Sequence, residues 1–147
     1  MKKENQGLSR RSVIVCLAVT VVVAALITDQ VIYVLNVRNQ NRCESTMRGL
    51  RDLQRDLTFY SFECGQIPGP SLKDAVDALH QYGVRTKWKD YQMVLDGVDA
   101  WNQPLVYDWR SSYEVAVRSV GANGIDDHGN GDDIQRMIEV PPALRKE

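Results

Sequence analysis

No proline interrupts the chain between Met1 and Ile67, and the opening of that stretch holds its longest apolar run, Val13 to Ile27. Backbone that must satisfy its own hydrogen bonds over such a length has one economical solution, an α-helix. A membrane span takes about 20 mostly apolar residues. Ser12 to Thr28 supplies about 17, and Val31 to Leu35 extends the run beyond the Thr28-Asp29-Gln30 break. Lys2, Lys3, Arg10 and Arg11 stand before the run against Glu4 alone. Positive flanks stay on the cytoplasmic side, so everything after Asp29 is expected to face outward. A carboxylate inside a membrane can be functional, but Asp29 is read here as marking the outer interface. Ala24-Ala25-Leu26 is a poor signal-peptide cleavage site, and Ser9-Arg10-Arg11-Ser12 lacks the remaining pattern of a twin-arginine signal. The expectation is a retained anchor: residues 1–11 a basic leader, 12–36 a transmembrane helix.

Beyond Asn36 the sequence turns polar, and apolar residues recur at Met47, Leu50, Leu53, Leu57, Tyr60 and Cys64. Steps of three and four residues make one stripe on a helix. Anchor and stripe together predict a single helix of about 50 residues, stopped by Gly65 and by Pro68 and Pro70. Cys43 and Cys64 on that helix lie roughly 30 Å apart. A disulfide between them within one chain is excluded. Cys16 falls inside the apolar run.

With 147 residues the chain has room for an anchor and one small domain, expected over residues 37–147. Ser71 to Asp74 reads as a capping box opening a short helix that ends at Gly83. His80 is expected at its surface. Asp96-Gly97 marks a turn, and 104–109 and 113–120 alternate as strands joined by a loop at Arg110-Ser111-Ser112. Leu105, Tyr107 and Trp109 should share one face, as should Tyr113, Val115 and Val117. The fold class is therefore α+β, a long helix packed on a small antiparallel sheet. A net charge of −1 argues against a nucleic-acid partner. Lys73, Arg85, Lys87 and Lys89 alternate with Trp88, Asp90 and Tyr91 and are expected to form a solvated rim.

The stretch 121–134 crowds Asn123, Asp126, Asp127, Asn130, Asp132 and Asp133 among glycines. Clustered carboxylates repel one another unless a hard cation neutralises them, and calcium accepts six to eight oxygens in flexible geometry. Zinc finds only His128 as a soft ligand here. An EF-hand is rejected: Asp126, His128, Asn130 and Gly131 fit its first positions, but Met137 stands where its bidentate glutamate is needed, and a strand precedes the loop. Residues 135–147 are read as a C-terminal tail. Ser111, Ser112, His80 and His128 make no recognisable nucleophile–base set, and no phosphate-binding glycine loop joins a strand to a helix. No enzyme is expected.

Three blocks in order carry a family resemblance: Leu57 to Pro68, Asp99-Ala-Trp-Asn-Gln-Pro-Leu-Val-Tyr107, and Tyr113 to Ile134. Behind an apolar N-terminal helix they resemble the major (G-type) pseudopilins of bacterial type II secretion. The resemblance implies a pilin-like fold and Ca2+ held by the last loop. By position it implies Asn123, Asp132, Asp133 and the Val120 carbonyl as ligands, with Asp126 and Asp127 added from this sequence. The likeness stops at the N-terminus: Gly7 is followed by Leu8-Ser-Arg-Arg-Ser12, where the family has Phe-Thr-Leu-x-Glu after its processing glycine.

The resemblance implies a calcium-stabilised structural subunit of a secretion pseudopilus or related filament. It would be anchored once in the bacterial inner membrane, with a cytoplasmic N-terminus and a periplasmic domain. Its partners would be the lipid bilayer, other pilin-like subunits (its own kind or minor pseudopilins) and inner-membrane secretion machinery. Ser12 in place of the glutamate, with the paired arginines, favours an alternative: an anchored, pilin-derived binding module that never polymerises and contacts secretion or envelope proteins.

Overall fold

A computed structural model describes residues 10–85 and 88–145; residues 1–9 of the basic leader, and Lys87 of the basic rim, lie outside them. Helix α1 runs from Arg10 to Cys64, 55 residues, in keeping with the unbroken, proline-free sequence. The chain divides into two units, Met1–Arg38 and Asn39–Glu147.

In the first unit, α1 is apolar and bare. Ile14 to Leu35 expose their large side chains throughout, and the helix is long and apolar enough to cross a membrane. Its two threonines turn inward on their own backbone: the Thr20 and Thr28 hydroxyls donate to the carbonyls of Cys16 and Ala24, each at 2.9 Å. That satisfies both groups without water.

The second unit is built on the remainder of α1. Leu50, Leu53 and Leu57 are fully buried, which places the predicted stripe against the core. Around it gather α2 (Leu72–Gln81) and α3 (Lys89–Leu95). Strands β1 (Val106–Ser111), β2 (Glu114–Ser119) and β3 (Ile134–Glu139) complete the unit. The strands form one antiparallel sheet in the order β1-β2-β3. Val115, Val117 and Ile138 of the sheet meet Ala75, Val76 and Leu79 of α2 and Val94 and Leu95 of α3 in one core. Ser71 caps α2 in the predicted capping box, and Tyr107 stacks on Trp109 at 6.3 Å, consistent with their shared face.

Helix α3 sits where only a solvated rim was expected. Tyr91 is buried and donates its hydroxyl to Asp56 Oδ2 at 2.7 Å. Burial, reinforced by that carboxylate, raises the phenol far above its ordinary range. Helix α3 approaches α1 at Gly49, where a Cβ would lie 2.4 Å from the Asp90 carbonyl oxygen and 2.6 Å from Val94 Cγ2. A side chain there would force the two helices apart.

Two further boundaries differ from the sequence reading. The β1–β2 turn is Ser112–Tyr113, because a bulge between Trp109 and Ser111 carries Ser111 into register with Glu114. The segment read as a tail supplies β3, paired with β2 from Ile134↔Ser119 to Glu139↔Glu114. After it come a 3-10 turn, Pro142–Leu144, and Arg145, whose guanidinium lies 5.1 Å over the Tyr113 ring. All three cysteines are free thiols.

Candidate functional site

Strand β2 ends at Ser119, and the acidic loop leaves and returns to the sheet between it and β3. The loop's neck closes at Gly121. That residue has φ +64, and a Cβ on it would lie 2.4 Å from the Asp132 carbonyl oxygen, so the two ends touch through bare backbone. Asp132 Oδ2 accepts from the amides of Ala122 at 2.6 Å and Asn123 at 3.0 Å, fastening the neck a second time. At the tip, Asp133 Oδ2 accepts from the amides of Asp127 and Gly129, both at 2.9 Å. Asn130 closes a tight turn, its amide donating to the Asp127 carbonyl at 3.2 Å and its side chain to the same oxygen at 2.9 Å.

This folding brings three of the predicted ligands together. Asp127, Asp132 and Asp133 each offer a carboxylate oxygen, all within 4.8 Å of one another. Calcium bonds oxygen at about 2.3–2.6 Å, so ligands across one ion stand up to about 5 Å apart. Asp133 Oδ1 is buried with no hydrogen-bond partner. An oxygen-only donor set, three negative charges and an orphaned buried acceptor fit a calcium ion. Gly131 passes close by, with its would-be Cβ 3.0 Å from Asp127 Oδ2.

The other predicted residues are placed differently. Asn123 adjoins the group through its side-chain amide, 3.4 Å from Asp127 Oδ2, while its Oδ1 accepts from the Ile125 amide at 2.7 Å. Val120 is buried at the loop's start. Asp126 is turned away: Arg118 grips it with Nε to Oδ1 and Nη2 to Oδ2, both 3.1 Å. The same guanidinium reaches Asp108 Oδ2 at 3.3 Å. The Arg118 hydrogen bonds hold the Asp126 carboxyl below its usual range. His128 lies on the exposed side of Asp126, 3.7 Å away.

Two residues to which the sequence reading assigned no role hold the loop's base. Arg118 is 5% exposed; the signal was a lone arginine inside the apolar run Val115-Ala-Val-Arg. Asp99, 2% exposed, opens the Asp-Ala-Trp-Asn-Gln-Pro block. Its Oδ1 accepts from the amides of Trp101 and Gln103 at 2.9 Å, and its Oδ2 from the Ser119 hydroxyl at 2.5 Å. Ser119 Oγ in turn accepts from the Gly121 amide at 3.2 Å. The block is therefore a turn wound on a buried carboxylate and tied to the loop's neck. It is fixed on α1 as well, where Thr46 Oγ1 accepts from the Ala100 amide at 3.1 Å and Trp101 Nε1 donates to Asn39 Oδ1 at 2.9 Å.

A long N-terminal helix packed on a three-stranded antiparallel sheet, with two short helices and a glycine-rich loop, is an α+β, pilin-like arrangement. A family model for protein G of the type II secretion system matches residues 33–140, and the chain belongs to that family, the major pseudopilins. Comparison with curated proteins gave no match, and comparison with solved structures gave none.

Proposed function

We propose that this chain is a calcium-stabilised subunit of a type II secretion pseudopilus, whose work is packing rather than catalysis. The observation that carries the reading is the family match over 33–140 together with a first half of α1, Ile14 to Leu35, whose large apolar side chains are exposed. In this reading residues 12–36 span the bacterial inner membrane once, residues 1–11 stay in the cytoplasm, and residues 37–147 form the periplasmic domain. Bare apolar helices of many copies, and of minor pseudopilins, bundle together, and inner-membrane secretion machinery adds or withdraws subunits. The calcium ion is held by Asp127, Asp132 and Asp133, with Asn123 and the Val120 carbonyl beside them, and neutralises carboxylates that the loop has already gathered. Asp126 serves the loop from outside this group, through Arg118.

A second reading rests on Ser12, which stands where the family's glutamate would help set register, and on Arg10 and Arg11 beside it. It makes the chain an anchored, pilin-derived module that contacts secretion or envelope proteins without polymerising. The intact mass of the protein from its own host's membranes separates the two. Loss of Met1 to Gly7, with or without an added methyl, supports the filament subunit. A full-length mass from cells with working prepilin processing counts against it and in favour of the module.

A further inference from the structure

Asp29 is the only acidic residue between Glu4 and Glu44, and it interrupts an otherwise apolar helix. A hydrocarbon layer of roughly 30 Å, counted from Val13 at about 1.5 Å per residue, ends near Ile32. Asp29 therefore lies within the outer few ångströms of that layer, where an unpaired charge is still disfavoured, though less than at the centre. Its own helix offers no basic residue within reach: one turn either way stand Ala25, Leu26, Ile32 and Tyr33. The nearest base on the helix is Arg38, exposed like Asp29. Nine residues at about 100° each put it on the opposite face, roughly 13 Å along the axis. Neither residue makes an ion pair among the described residues. Between them Val31, Ile32, Tyr33, Val34 and Leu35 are each about half exposed or more, an apolar collar that straddles the hydrocarbon edge.

Opposite charges on opposite faces, offset along the axis, cannot satisfy each other within one chain or across a two-fold dimer. They can satisfy each other between parallel copies displaced along the helix. We propose that Asp29 of one subunit pairs with Arg38 of the next, in a contact that buries the Val31–Leu35 collar against a second copy of α1. The displacement is about 10–13 Å, because an arginine side chain leans toward the helix N-terminus and shortens the offset. Each copy then offers Asp29 to one neighbour and Arg38 to another. Such a head-to-tail contact does not close on itself but propagates into an open array. The inference rests on the reading of the chain as a self-assembling subunit and assigns its register.

The test uses the full-length chain in its host's membranes, with Cys16, Cys43 and Cys64 changed to serine. Under mild oxidation D29C/R38C should give a ladder of crosslinked species, whereas D29C alone and R38C alone stay monomeric. In the cysteine-bearing parent, D29R and R38D should each reduce assembly at least about tenfold, and the swap D29R/R38D should restore most of it. Efficient crosslinking by D29C alone would mean like residues face each other; it overturns the stagger and leaves the subunit reading intact. Failure of the swap to restore assembly overturns the pairing. A parent chain that stays monomeric in detergent extracts overturns the subunit reading itself.

Discussion

Replacing Asp99 by alanine removes one acceptor that serves three donors. Its two oxygens take the Trp101 and Gln103 amides and the Ser119 hydroxyl, at a position 2% exposed. Hydrogen bonds to a charged group contribute roughly 1.5–3 kcal/mol each, but bonds to one atom group do not add in full. Water can re-enter around Trp101 more easily than around Ser119, which is fully buried. The expected loss is about 3–5 kcal/mol. At roughly 4 °C per kcal/mol for a domain of this size, the melting temperature should fall by about 12–20 °C. Asp99→Asn keeps an oxygen for the two amides but sets an NH2 donor where Oδ2 accepted from the Ser119 hydroxyl, so about 1–2 kcal/mol is expected. The assay is thermal melting of the detergent-solubilised full chain, followed by tryptophan fluorescence, with hydrogen exchange at the Gly121 amide as a local readout. Gly121 should lose protection in both variants, since its partner Ser119 Oγ is held by Asp99. An alanine variant melting within about 3 °C of the parent would refute the idea that this carboxylate organises the turn.

Excess chelator should lower the melting temperature by about 10 °C if the site was near-saturated, since a hundredfold excess of ligand over Kd stabilises by about 2.7 kcal/mol. Asp133→Ala should melt at or below the chelated value, since it also loses the Asp127 and Gly129 amide bonds, and should not respond to calcium; a parent melt indifferent to chelator removes the metal from the account. Gly49→Ala should destabilise by about 1–3 kcal/mol despite alanine's better helix propensity, because the added methyl meets the Asp90 carbonyl. Unchanged stability in denaturant melts would show that α3 yields freely. Asp126 has a carboxyl lowered in the fold, so its contribution is present above the ordinary aspartate range near pH 4 and is lost as pH falls through the folded value. Amide exchange along 120–128 should rise at that acidic end, and Arg118→Met should abolish the dependence.

What could be read in advance was whatever a single period or a local cap determines. The stripe Leu50, Leu53, Leu57, the capping box at Ser71 and the stop at Gly83 each depend on residues within a turn of one another. Helix α3 was hidden because Tyr91, Val94 and Leu95 complete barely one turn, and the charges of Lys89 and Asp90 dominate the window. Strand β3 was hidden because Gln135 and Arg136 dilute its apolar positions, and its partner strand lies across the loop. The loop shows the same division. Its oxygen-rich composition pointed to a group of carboxylates, and Asp127, Asp132 and Asp133 do converge. Nothing local says that Asp126 goes instead to Arg118, whose side chain reaches it from the neighbouring strand. Asp99 was visible only as part of a family-like block. That it is a buried acceptor for Ser119 depends on a contact 20 residues away.

The closed neck at Gly121 has a consequence for timing. A binding loop that must be gathered by its ion makes each binding event a folding event, slow to form and prone to clip or swap while open. Here the Asp132 bonds to Ala122 and Asn123, with the Asp99–Ser119–Gly121 chain beneath them, hold the loop's two ends together through groups of the protein alone. An ion arriving at such a loop meets carboxylates whose entropy of ordering has already been spent by the sheet. On the proposed reading, binding and release of the ion then need no refolding of the loop, and its outline stays the same in both states.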